Sequence, residues 1–107
     1  MYIININDDE NQIITIPTES VNYSVRKQEN IIIISIHTFI PVNISKSYVD
    51  KLTPKLSTKL HVVILKDNNL LLSISNITLD NFTIGIYSDI KDEFSLQFKD
   101  EAKECLG

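Results

Sequence analysis

Two histidines, one cysteine and two acidic turns are the side chains of this 107-residue chain whose types could do chemistry. His37 sits in "IIIISIHTFIP" (31–41) and His61 in "KLHVVILK" (59–66). A two-histidine metal site wants a carboxylate as a further ligand. The nearest acidic residues on their N-terminal sides are Glu29 and Asp50. Unless the fold brings the pair together across strands, each histidine reads as a satisfied interior or edge side chain. The acidic turns "DDE" (8–10) and "DIKDE" (89–93) lack the alternating oxygen ligands and glycine of a calcium loop. They could supply a carboxylate pair for glycoside cleavage, but acidic turns between strands are ordinarily solvated loops. Cys105 has no partner base near it in sequence, and a tail seldom holds the rigid geometry of nucleophilic catalysis. There is no G-x-S-x-G motif and no glycine-rich phosphate loop, since the two glycines are Gly85 and Gly107. The tyrosines are scattered and tryptophan is absent, which weakens a sugar platform. No catalytic, metal-binding or cofactor-binding residue is named, and no cofactor is expected.

The elements that would have to position any site are strands. "YIININ" (2–7), "QIITIP" (12–17), "VNYSVRK" (21–27), 31–41, 59–66, "LLLSISNITL" (70–79), "FTIGIYS" (82–88) and "EFSLQF" (93–98) carry β-branched or alternating patterns. "DNN" (67–69) and "DN" (80–81) read as hairpin turns, because Asn and Asp tolerate positive φ. In 70–79 the apolar series shifts from Leu70, Leu72 and Ile74 to Ile77 and Leu79, which predicts a bulge near Ser75–Asn76. Between the two groups of four strands, Ser47 with Asp50 three residues later predicts a short helix over about 47–53, stopped by Pro54. The tail 99–107 favours a last helical turn. The expected fold is all-β: a two-sheet sandwich or flattened barrel of about eight short antiparallel strands, in a single domain over 1–107.

The four isoleucines 31–34 would make a strand apolar on both faces, which needs cover on both. Ile32, Ile34 and Ile36 are expected to meet the opposing sheet. Ile31 and Ile33 would then be covered by the 42–57 segment or by a second copy of the chain. Tyr23, Ile31, Ile33, Phe39 and Tyr48 are accordingly the candidate interface residues.

Net charge of −4, with basic residues dispersed and Arg26 the single arginine, argues against a nucleic-acid partner. No apolar run reaches the roughly 18 residues of a membrane span, and no basic-then-apolar leader opens the chain. One cysteine excludes an internal disulfide and fits a reducing, cytoplasmic setting or a virion. Nineteen Ile, ten Asn and nine Lys against one Ala and one Arg indicate an A/T-rich gene, as in low-GC bacteria, their phages and plasmids. These features point to a non-enzymatic interaction or assembly module, phage- or mobile-element-encoded, whose partner is itself or a host protein. It would act as a virion or tail component or as an inhibitor of a host protein. A small-ligand or carbohydrate-binding sandwich, with 42–57 as a lid, is the competing expectation.

Overall fold

The computed structural model describes residues 1–100. Of the tail 99–107 expected to form a helical turn, Lys99 and Asp100 are in a strand, and the remainder, with Cys105, lies outside the described residues. Seven strands, β1 (Tyr2–Asn7), β2 (Gln12–Thr18), β3 (Val21–Gln28), β4 (Ile31–Pro41), β5 (Lys59–Lys66), β6 (Asn69–Ile86) and β7 (Lys91–Asp100), form one antiparallel sheet in the order β2-β1-β5-β6-β7-β4-β3. A single helix, α1 (Val42–Leu52), followed by a 3-10 turn Thr53–Lys55, separates β4 from β5. No helix among the described residues is long and apolar enough to cross a membrane.

The count is seven rather than eight because the expected turn at Asp80–Asn81 does not form. Residues 69–86 are one strand whose first half pairs with β5 and whose second half pairs with β7. An Asp-Asn pair favours a turn when its side chains bond their own backbone. Here the Asp80 carboxylate is held sideways instead, by Gln97 Nε2 at 2.9 Å, Asn81 Nδ2 at 3.0 Å and Lys99 Nζ at 3.5 Å. The hairpin at 67–69 does form, with Asp67 at φ 50° and Asn68 at φ 70°, the conformation of a two-residue turn that matches strand twist.

The predicted bulge is present. Val62 pairs with Ile74 and Leu60 with Ile77, so His61 opposes both Ser75 and Asn76. Two more register shifts lie along the same strand, one between Leu70 and Leu72 and one between Leu79 and Asn81. Each extra residue restores an apolar series to the inner face: Leu72 and Ile74, then Ile77 and Leu79, then Phe82 and Ile84 stand opposite buried partners. The change of face implied by strict alternation is thus cancelled by the bulges. Asn76 takes φ 64° there. Asn76→Gly should therefore leave stability unchanged within about 0.5 kcal/mol, whereas Asn76→Val should cost about 1–2 kcal/mol in a urea titration. Equal midpoints for the two variants would show that the bulge places no demand on this backbone.

The interior is an isoleucine and phenylalanine core, with Ile4, Ile6, Ile16, Ile36, Ile40, Ile64, Ile77, Leu79, Phe94 and Phe98 almost wholly buried. Helix α1 begins at Val42, five residues before the expected start. Pro41 ends β4 and supplies the fixed φ of the capping position (φ −61°, ψ 140°), so no serine cap is needed. Ser45 donates to Asp92 Oδ2 at 2.6 Å, tying the helix to β7. Ser45, Tyr48 and Leu52 form its buried stripe at helical spacing, and the Tyr48 ring stacks on Phe94 at 6.3 Å. The helix therefore covers the inner face and does not cover Ile31 and Ile33, which corrects one of the two covers expected for them.

Strands β2 and β3, at opposite ends of the strand order, are joined by only Glu19 and Ser20. Buried hydroxyls fasten this corner. Thr38 Oγ1 donates to the Ser20 carbonyl at 2.6 Å, Thr18 Oγ1 donates to the Phe39 carbonyl at 3.1 Å, and the two hydroxyl oxygens lie 2.9 Å apart.

Candidate functional site

The five residues proposed from the sequence do not share one surface. Tyr48 is buried, and its hydroxyl donates to the Thr15 carbonyl at 3.2 Å; burial pushes the phenol above its ordinary range. Tyr23 pairs with Ile36, so it lies on the inner face at the open margin of the sheet. Ile31, Ile33 and Phe39 share the outer face of β4. Ile33 is only 8% exposed, set between Arg26 of β3 and Lys99 of β7, whose long aliphatic stems suit them to cover an apolar neighbour. The isoleucine strand's second face is thus partly closed within the chain.

The two histidines are kept apart by topology, because β6 and β7 lie between β5 and β4. Nε2 of His61 lies 3.3 Å from the Ser73 hydroxyl. Nε2 of His37 lies 3.8 Å from Glu93 Oε1, and its ring meets Phe39 edge-on at 5.2 Å. Among the described residues no three His, Cys, Asp or Glu side chains are grouped to hold a metal ion.

Two concavities stand out among the described residues. One, about 290 Å³, is a shallow groove on the outer face of β3, β4, β7 and β6. Register aligns Ser24, Ser35, Gln97 and Asn81 in one row and Asn22, His37, Ser95 and Thr83 in the next. The short serines leave the strand backbones open, so the groove offers neutral hydrogen-bonding groups and no cluster of charge. The other, about 560 Å³, lies between the β1–β2 turn and the β6 bulge and includes Asp8, Asp9, Lys59, His61 and Asn76. Asp8 organises its rim: it accepts from Lys55 Nζ at 2.8 Å, from the Asn11 N–H at 2.7 Å and from the Glu10 N–H at 2.9 Å. The Lys55 hydrogen bond, followed by the two backbone bonds, lowers the Asp8 carboxyl from 3.8 to about 2. A folded-state value below the unfolded one stabilises the fold fully above pH 3.8, and that contribution is lost as pH falls through about 2. In an NMR titration Lys55→Ala should move the Asp8 midpoint upward. An unmoved midpoint would show that the lysine does not hold it.

A third feature was not singled out by sequence reasoning. At the β6–β7 turn, Ile86 is 91%, Ile90 70% and Tyr87 60% exposed, and Val42, at the start of α1, is exposed beside them. Val42 N–H donates to the Ile90 carbonyl at 3.0 Å. The Tyr87 ring rests on Phe39 at 4.6 Å. The Ser88 hydroxyl accepts from the N–H groups of Ile90 and Lys91 at 3.3 and 3.2 Å, and the Tyr87 and Ser88 N–H groups donate to the Lys91 carbonyl. This turn is therefore built by its own hydrogen bonds while it presents large apolar side chains to water. Leu70 and Leu71, near the other end of β6, are also exposed, but they adjoin the charged Lys66 and Asp67. The one signal in the sequence is Ile90 itself, an apolar residue inside the polar turn "SDIKD". Compared with protein-family models, curated proteins and solved structures, the chain matches none of them.

Proposed function

We propose that this chain is a non-enzymatic protein-interaction module that docks through the apolar end formed by Ile86, Tyr87, Ile90 and Val42. The observation that carries the reading is the exposure of these side chains on a turn fixed by Ser88. Large apolar side chains facing water at one end of the sheet are unfavourable unless a partner covers them, and a turn fixed beforehand loses little conformational entropy on docking. The occupant fits an apolar cleft in a host protein. The A/T-rich coding bias favours a phage or mobile element of a low-GC bacterium as the source, with inhibition of that protein or assembly into a virion as the outcome. A flattened-barrel reading of the sheet, its two halves facing each other across the core and sharing β6, belongs to the same proposal: it would leave the ends of the strands as the accessible apolar surface.

Immobilised wild-type chain should retain a protein from low-GC host lysate that the Ile86→Asp/Ile90→Asp chain does not. Equal retention by both would overturn the assignment. The neutral groove over Ser24, Ser35 and Gln97 favours a second reading, a carbohydrate ligand. Retention abolished by free sugars and by Gln97→Ala, but not by the aspartates, would select it.

A further inference from the structure

Ring-bearing side chains are scattered along the sequence, and the fold gathers three of them on the outer face of the sheet. The His37 ring meets Phe39 edge-on at 5.2 Å, and Phe39 meets Tyr87 at 4.6 Å. His37 also lines the groove of about 290 Å³, so strip and groove are continuous. Between them on β6 stands Gly85. Register sets the row Gly85, Glu93 and Phe39 beside the row Thr83, Ser95 and His37. Ile84 and Phe94 pack inward, so Gly85 faces out. A Cβ placed on it would meet nothing within 4 Å. Its bare backbone therefore leaves an open gap between Thr83 of the groove and the Tyr87 ring, where a ligand can approach closely.

We propose that this outer face binds a neutral oligosaccharide, its sugar rings stacked on the strip of His37, Phe39 and Tyr87 and its hydroxyls bonded in the groove. The inference deepens the carbohydrate reading of the groove and rests on it. A sugar ring has an apolar C–H face and a rim of neutral hydroxyls, and the strip and the groove match these in turn. Ser35, Ser95 and Gln97 can each donate and accept. Gln97 is already held, because its Nε2 donates to Asp80 at 2.9 Å, which leaves its side-chain oxygen for a hydroxyl. The half-exposed Glu93 carboxylate, 3.8 Å from His37, accepts from hydroxyls and repels an anion. Neutral sugars are thereby favoured over acidic ones. All these side chains except Tyr87 stand on paired strands, so little freedom is lost when a ligand meets them.

NMR titration of the full chain with maltotriose, cellotriose, triacetylchitotriose and, as the acidic probe, sialyllactose tests the assignment. At least one neutral trisaccharide should shift the amides of Thr83, Gly85, Tyr87 and Ser95, and sialyllactose should not. Gly85→Val should melt no lower than wild type, because glycine weakens a strand and the space for a side chain is open. It should nevertheless raise the dissociation constant on the order of tenfold. Tyr87→Ala should weaken binding similarly, whereas Tyr87→Phe should retain it. Ile86→Asp/Ile90→Asp should bind sugar as wild type does, which separates this site from the protein-docking end. If no neutral probe binds, or Gln97→Ala changes nothing, the groove reading falls and this inference falls with it. Binding lost in Gln97→Ala but unchanged in Gly85→Val and Tyr87→Ala leaves the groove reading standing and overturns the strip and the gap. Loss of lysate-protein retention in Gly85→Val, with no sugar bound, gives the strip to protein docking and overturns the inference as well.

Discussion

A chain carrying Ile86→Asp and Ile90→Asp should fold as the wild type does and lose partner affinity by at least about 100-fold. The first half follows from exposure: at 91% and 70% these side chains contribute little burial to the folded chain, and substitutions at such positions typically stay within about 0.5 kcal/mol. The turn survives because its hydrogen bonds come from Ser88 and from backbone groups. The second half follows from what a partner would do to the new charges. Each would have to be desolvated in an apolar cleft, and truncating a central interface residue alone commonly costs about 2 kcal/mol or more. Two such losses exceed the roughly 2.7 kcal/mol that correspond to 100-fold. Calorimetric melting and a binding titration read the two halves separately. A variant that melts far below wild type would place these isoleucines in the fold's own support, and a variant that binds undiminished would remove them from the interface.

Phe94→Ala should produce the opposite pattern, a large loss of stability. Phe94 is fully buried and joins three elements: the Tyr48 ring of α1 stacks on it at 6.3 Å, Phe82 of β6 meets it at 6.2 Å, and Thr38 of β4 is its register partner. Truncating a buried phenylalanine costs about 3–5 kcal/mol in lost transfer free energy and residual cavity. Domains of this size hold only about 5–15 kcal/mol in total, so the variant should be substantially destabilised in a guanidinium titration. A loss below about 1 kcal/mol would mean that α1 does not seal the core over β7.

The strand pattern of this chain was legible where its causes are local. The strand at "VNYSVRK", the Asp67–Asn68 turn and the Ser75–Asn76 bulge all rest on residues within a few positions of one another, and all are present. That strand, expected from its alternation to be half-buried, is exposed at every residue after Val21 because it lies at the margin of the sheet. Asp80–Asn81 was misread because the groups that straighten it, Gln97 and Lys99, come from β7. The helix start was misread for a similar reason: Ser45 serves Asp92 of β7, and Pro41 does the capping. Ile33 looked like an interface residue because sequence alone does not place Arg26 and Lys99 on either side of it. The apolar end escaped notice because "FTIGIY" alternates like any half-buried strand. Ile86 is exposed because pairing runs out at Asp92, a property of the sheet's outline rather than of the segment.

The central claim is that the β6–β7 end meets another protein. Photo-crosslinking from position 90 tests it most directly, with a benzophenone side chain replacing Ile90 and a second chain carrying the same group at Ser24 in the groove. The account predicts a single covalent adduct with a protein other than the chain itself from position 90, and none from position 24. An adduct from position 24 alone, or no protein adduct from position 90 in lysate that the wild-type chain depletes of its partner, would contradict it.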